Sequence, residues 1–235
     1  MEKLEKAYKI IATIPRSSSR ETYHKKAMEA FELCPGCVEA TLLLNYFESD
    51  VYVRIDNLKK GLECIEAGIA SKDTDRNLVI NLGRTKAELA NEYITAGKYE
   101  EALKLLETVD DNKYDTKFKK MSLYARLDDK RIEEYYVEQS EKAIDNGFIH
   151  LGLPYMVYLF KRNRKEDIKP IFDKLHDINP EIMAILKGER KEGEETNDQV
   201  EAALELLRNN SYLINDTPGF IEYLTELSNN PHNYS

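Results

Sequence analysis

Four histidines and three cysteines are the only residues of their kinds among 235, and tryptophan is absent. Three cysteines, an odd number, do not make a disulfide framework. The histidines, His24, His150, His176 and His232, stand apart, and none sits beside Ser, Cys or Asp in a nucleophile motif. Gly83 and Gly97 are isolated, so no glycine-rich phosphate loop is present. No apolar run approaches the ~20 residues needed to cross a bilayer. The opening MEKLEKAYKII carries charges throughout and no signal-peptide core, which predicts a cytoplasmic location. Positive charge is also short. The net charge is −9 and the pI about 5.2, which argues against nucleic acid or an anionic membrane as partner. The basic run from Lys161 to Lys165 reads as a solvated helix end or turn. No cofactor, no metal and no enzymatic activity are expected.

What the chain does have is helical periodicity. The stretch Lys86–Leu106, KAELANEYITAGKYEEALKLL, reads as two helices joined at Gly97. Leu82, Leu89, Ala90 and Tyr93 share one face of the first. Tyr99, Ala102, Leu103, Leu106 and Val109 form the stripe of the second. Gly97 suits the left-handed residue that ends a helix, and Glu100 and Glu101 favour the positive end of the next. Neither helix can bury its stripe alone, so the pair needs neighbours. The simpler alternative is an ordinary helical hairpin in a compact bundle.

The series Leu89, Ala90, Tyr93 and Ala102, with AGKYEEAL as its turn, resembles the tetratricopeptide repeat. Lys86 stands where that motif has its tryptophan. Small residues there let helices approach closely, and the aromatic fills the gap between units. The resemblance implies an all-α fold of helical-hairpin repeats, a right-handed solenoid, with C-terminal capping helices.

Taken in order, the chain predicts helices over 2–14, Arg20–Leu33, Val38–Glu48 and Arg54–Ala70. Ser17 to Ser19 supply caps, and Cys34-Pro35-Gly36 is a stop. Asp73 and Thr74 cap the helix leading into the unit above. Lys113–Leu127 and Lys130–Asn146 form the next pair around Asp128-Asp129. Asn146-Gly147 reads as a stop, and Pro154 as the first turn of a helix reaching Phe160. Asp167–Ile178 follows, with Pro170 near its start. Residues 1–180 are thus expected to form the repeat solenoid. Residues 181–235 are expected to form the cap: a short helix over Ile182–Leu186, a charged loop at 187–199, a helix with Val200, Ala203, Leu204 and Leu207, a last helix after Thr217-Pro218-Gly219, and a polar tail from Ser228.

The segments AFELCPGCVEATLLL, NPEIMAILKG and TPGFIEYL resemble bacterial relatives of the suppressor of tumorigenicity seven family, in order across residues 22–227. That resemblance implies a tetratricopeptide-like fold without defined catalytic residues.

In a solenoid of this type the first helix of each pair lines the concave face. Tyr46, Arg84, Asn91, Met121 and Tyr155 are the groove candidates. Asn91 matches a position where some tetratricopeptide proteins hold a ligand backbone. Ala87 and Ser122 stand where a carboxylate clamp would need lysine and asparagine, so that clamp is disfavoured. The expected function is a scaffold or adaptor that binds a peptide or partner protein in the groove. One alternative is a ligand- or peptide-responsive regulator without its own DNA-binding domain. Another is a redox or metal protein using Cys34 and Cys37, whose spacing lets two thiols share a disulfide or a metal. Against it, Cys34 and Cys37 lie between two helices and read as turn residues.

Solution scattering tests the architecture. A compact chain of this length has a radius of gyration of ~17–18 Å. The repeat reading expects a clearly larger value, and a value at the compact limit counts against it.

Overall fold

The computed structural model describes residues 2–71, 76–111, 116–141, 146–187, 204, 208 and 210–229. These residues form helices, turns and bends, with no strand among them, so the chain is all-α. No described helix is long and apolar enough to cross a membrane. Two compact units make up the chain, Met1–Thr116 and Lys117–Ser235.

The first unit contains α1 (Glu2–Ala12), α2 (Arg20–Leu33), α3 (Val38–Phe47), α4 (Val51–Ala70), α5 (Arg76–Thr95) and α6 (Tyr99–Leu106). Each helix packs on the next, and α3 also packs on α1 and on α5. Close crossings require small residues, and Ala7, Ala27, Ala30, Ala40, Ala90 and Ala102 are all fully buried. Two apolar clusters result. Leu4, Val38, Ile65 and Leu78 belong to one, and Ile55, Leu58 and Leu89 to the other. Ser19 caps α2 by accepting a hydrogen bond from the Thr22 N–H at 3.2 Å. Asp50 caps α4 through the Tyr52 N–H at 2.8 Å, so that helix begins at Val51 and not at Arg54.

The second unit contains α7 (Lys117–Arg126), α8 (Arg131–Ser140), α9 (Asn146–Lys161), a 3-10 turn (Lys165–Asp167), α10 (Ile168–Ile178), α11 (Glu181–Leu186) and α12 (Phe220–Asn229), with residues 210–215 also helical. Its centre is α9, buried on every side from Leu151 to Leu159 and packed against α7, α8 and α10. The expected stop at Asn146-Gly147 is overturned, because both residues open α9. Pro154 lies inside this helix and not in its first turn. A proline there forfeits one backbone hydrogen bond. Burial of an entire apolar helix outweighs that loss and the local turn signal. The division at Thr116 and Lys117 also differs from the expected one at residue 180. There α10 packs on α11, and α11 on α12, so both sides of residue 180 share one body.

Three helices end in the same left-handed turn. At Gly97 (φ 73°), the Lys98 N–H reaches back to Tyr93 O (2.8 Å) and the Gly97 N–H to Ile94 O (3.0 Å). Asp128 (φ 54°) ends α7 with an Asp129 N–H to Tyr124 O bond of 2.9 Å. Asn163 (φ 56°) ends α9 with an Arg164 N–H to Leu159 O bond of 2.9 Å. This pattern satisfies carbonyls that a helix end otherwise leaves open. The basic run from Lys161 to Lys165 occupies the last of these turns. Within it Arg162 pairs with Asp128 at 3.0 Å, and Arg164 pairs with Glu133 at 3.0 Å and Asp167 at 2.7 Å.

The expected caps Asp73 and Thr74, the loop residues 188–199, and Val200, Ala203 and Leu207 lie outside the described residues, as does the tail from 230. Leu204 is helical. Val109 lies beyond the end of α6, yet it is buried as its place in the stripe implies.

One contact tests the packing of the first unit. A Cβ on Gly61 of α4 would stand 3.0 Å from Pro35 O, and that oxygen accepts a hydrogen bond from Thr41 Oγ1 at 3.2 Å. Helix propensity alone favours Gly61→Ala by ~1 kcal/mol. Overpacking against backbone costs about 1–3 kcal/mol. Urea unfolding should therefore show Gly61→Ala destabilised by roughly 1 kcal/mol, the reverse of the propensity effect.

Candidate functional site

The short helix α3 carries the most exposed large aromatic side chain among the described residues, Tyr46, at 80% exposure. Its position is set by the turn that follows. Asn45 is buried, donates from Nδ2 to Arg54 O (3.1 Å), and accepts from Asn57 Nδ2 at its own Oδ1 (3.0 Å). Arg54 donates to the carbonyls of Glu48 and Ser49, both at 3.1 Å, and its Nε to Glu92 Oε2 of α5 at 2.9 Å. The Arg54–Glu92 pair is mostly shielded, at 18% and 20% side-chain exposure. The end of α3 is thus held from two helices, α4 and α5.

Around this end lies an aromatic surface built from α2 and α3. Phe47 is its hub. Tyr46 meets Phe47 edge-on at 5.2 Å between centroids, His24 does so at 5.8 Å, and the Arg20 guanidinium lies 5.2 Å above the ring. An open depression of about 630 Å³ is lined by Ser18, Arg20, Tyr23, Leu43, Tyr46 and Phe47. A second, of about 140 Å³, also reaches Phe47 and is bordered by Met28 and Val53, which are themselves exposed. Exposed apolar side chains thus gather on this part of the unit.

The five groove candidates fare differently. Tyr46 belongs to the surface just described. Arg84 and Asn91, seven residues apart on α5, share one of its faces. Arg84 pairs with Glu39 of α3 at 2.7 Å, and Asn91 Nδ2 donates to Glu88 of its own helix at 3.2 Å. In the second unit, Met121 is 0% exposed and cannot line a groove. The expectation fails because α7 is buried all round from Lys120 to Ala125, leaving no face beside the core stripe. Tyr155 is nearly buried, at 9% exposure. It stacks on Tyr136 at 4.1 Å and only borders a shallow acidic depression with Glu133, Glu134, Val137 and Glu138.

Arg20, Leu43 and Phe47 line the depression beside Tyr46, although none of the three is among the groove candidates. The available signal was local: Arg20 and His24 are one helical turn apart on α2, and Phe47 directly follows Tyr46. Cys34 and Cys37 lie in the turn between α2 and α3, as expected. Cys34 faces Cys64 across 4.0 Å, whereas Cys37 is fully buried. Among the described residues, no three His, Cys, Asp or Glu side chains converge in the way a metal site requires.

The clamp on the end of α3 is testable. Arg54→Ala should destabilise the chain by about 1.5–3 kcal/mol, the range for hydrogen bonds to charged groups. A double-mutant cycle with Glu92→Ala should show coupling, which an incidental surface pair would lack.

No family model matches the chain, and neither a curated protein nor a solved structure matches it.

Proposed function

We propose that the chain is a helical-repeat scaffold of tetratricopeptide type, whose α2–α3 surface holds an apolar segment of a partner protein carrying an acidic group. The repeat reading is supported by the packing of α1, α3 and α5, alternate helices that touch one another as well as their sequence neighbours. It is supported too by the matching turns at Gly97, Asp128 and Asn163, 31 and 35 residues apart, near a 34-residue period.

The exposure of Tyr46 carries the binding reading. A tyrosine 80% exposed, held from beneath by a pinned turn and beside an open depression, is a rigid aromatic anchor. Such residues are frequent hot spots of interfaces. The rim sets the charge of the partner. Among the residues that line the depression Arg20 alone is charged, and its charge is positive. Arg20 spends its charge on the face of Phe47, which leaves its donors for an incoming carboxylate.

Selection from a random peptide display library, followed by fluorescence anisotropy, tests this. Enriched peptides should combine an aromatic or aliphatic anchor with Asp or Glu. Tyr46→Ala should weaken binding roughly tenfold or more, the effect of losing a hot spot. Arg20→Glu should weaken it further and flatten its salt dependence. Peptides that bind both variants as tightly as the wild type would place the site elsewhere.

A further inference from the structure

We propose that Cys34 and Cys64 form a peroxide-sensitive thiol pair, a modification site that closes into a disulfide between the α2–α3 turn and α4. The two sulfurs lie 4.0 Å apart although the residues are 30 apart in sequence. Both are partly exposed, so an oxidant can reach them. Cys37, which shares a CxxC spacing with Cys34, is fully buried and packs in the apolar cluster of the first unit. The spacing in the sequence therefore points to the wrong partner.

The surroundings favour one thiolate in the pair. Either sulfur can donate to the other; the contact with Cys34 most of all holds the Cys64 thiol below its usual range, and the Gly36 N–H and the positive charge of Lys3 add to the effect. The same contact, with burial, pushes the Cys34 thiol up. A thiolate is the reactive form of cysteine. The turn itself is well held. Asn81 Nδ2 donates to Gly36 O at 3.2 Å, and the Cys37 N–H to Cys34 O at 3.0 Å. Bond formation draws the sulfurs together by about 2 Å, to the covalent distance.

Hydrogen peroxide is the oxidant. The Cys64 thiolate attacks one peroxide oxygen, the O–O bond breaks, and hydroxide leaves, giving a sulfenic acid at Cys64. The Cys34 sulfur then attacks that sulfur. The S–O bond breaks, the S–S bond forms, and the sulfenic oxygen leaves as water with the Cys34 proton. One peroxide and two thiols thus become one disulfide and two waters.

The test is peroxide treatment of the full chain, alkylation of remaining thiols, trypsin digestion without reduction and mass spectrometry. Trypsin places Cys34 and Cys37 in one peptide, 27–54, and Cys64 in another, 61–72. The expected product is these two peptides joined, two hydrogens lighter than their sum, with one alkylated thiol left. The link should survive Cys37→Ser and vanish on reduction. In Cys34→Ser, dimedone should trap a sulfenic acid at Cys64. Three free thiols after treatment, or a bridge within peptide 27–54, would overturn the proposal. So would a link lost in Cys37→Ser while circular dichroism shows that variant folded.

Discussion

Much of the first unit hangs on one buried amide. Asn81 of α5 donates from Nδ2 to Tyr8 Oη of α1 at 2.7 Å and to Gly36 O of the α2–α3 turn at 3.2 Å. A buried polar group left without partners costs about 1–3 kcal/mol. The three segments must therefore arrive together. Burial pushes the Tyr8 phenol above its ordinary range, more than the bond from Asn81 draws it down, so the hydroxyl stays neutral as the acceptor. Once Gly36 is fixed, Pro35 O comes against Gly61, Cys34 comes to face Cys64, and α3 starts at Val38. The direction of α3 then sets where Tyr46 emerges.

The second unit solves the same problem with a different element. Here one apolar helix, α9, is surrounded, and polar contacts gather at its end. Tyr158 Oη donates to Glu133 at 3.0 Å, and Arg164 binds the other oxygen of that carboxylate at 3.0 Å. Arg164 before all else holds the Glu133 carboxyl below its usual range. A carboxyl depressed in the fold contributes stability above its unfolded value and loses it as acid titrates through the folded one. The contribution is modest, because Glu133 is about 41% exposed and water screens the pair.

Both turns and surfaces follow from this division of labour. The helices that end at Gly97, Asp128 and Asn163 close with left-handed residues, whereas α2, α3 and α10 close with extended ones. In the first unit, small residues at the crossings let α2 and α3 approach closely, and Arg20, His24 and Tyr46 surround Phe47. The unit thus buries its alanines and leaves Tyr46 exposed beside Phe47.

By itself the sequence determined the helices. Apolar period, Ser19 and Gly97 are signals of this kind, since caps and stripes are local properties of the chain. Arg20–Leu33 was legible to the residue, and Leu89, Ala90 and Ala102 are buried as their spacing implies. Tertiary structure decided the rest. Asn146-Gly147 carries a strong turn signal, yet burial of α9 overrides it. Met121 has the spacing of a groove residue, but α7 has no exposed side for it. Cys34 has a nearer sequence partner in Cys37, and the packing of α4 gives it Cys64 instead. Helix formation depends on neighbours within four residues, whereas exposure and pairing depend on which other helix arrives, and no local pattern encodes that.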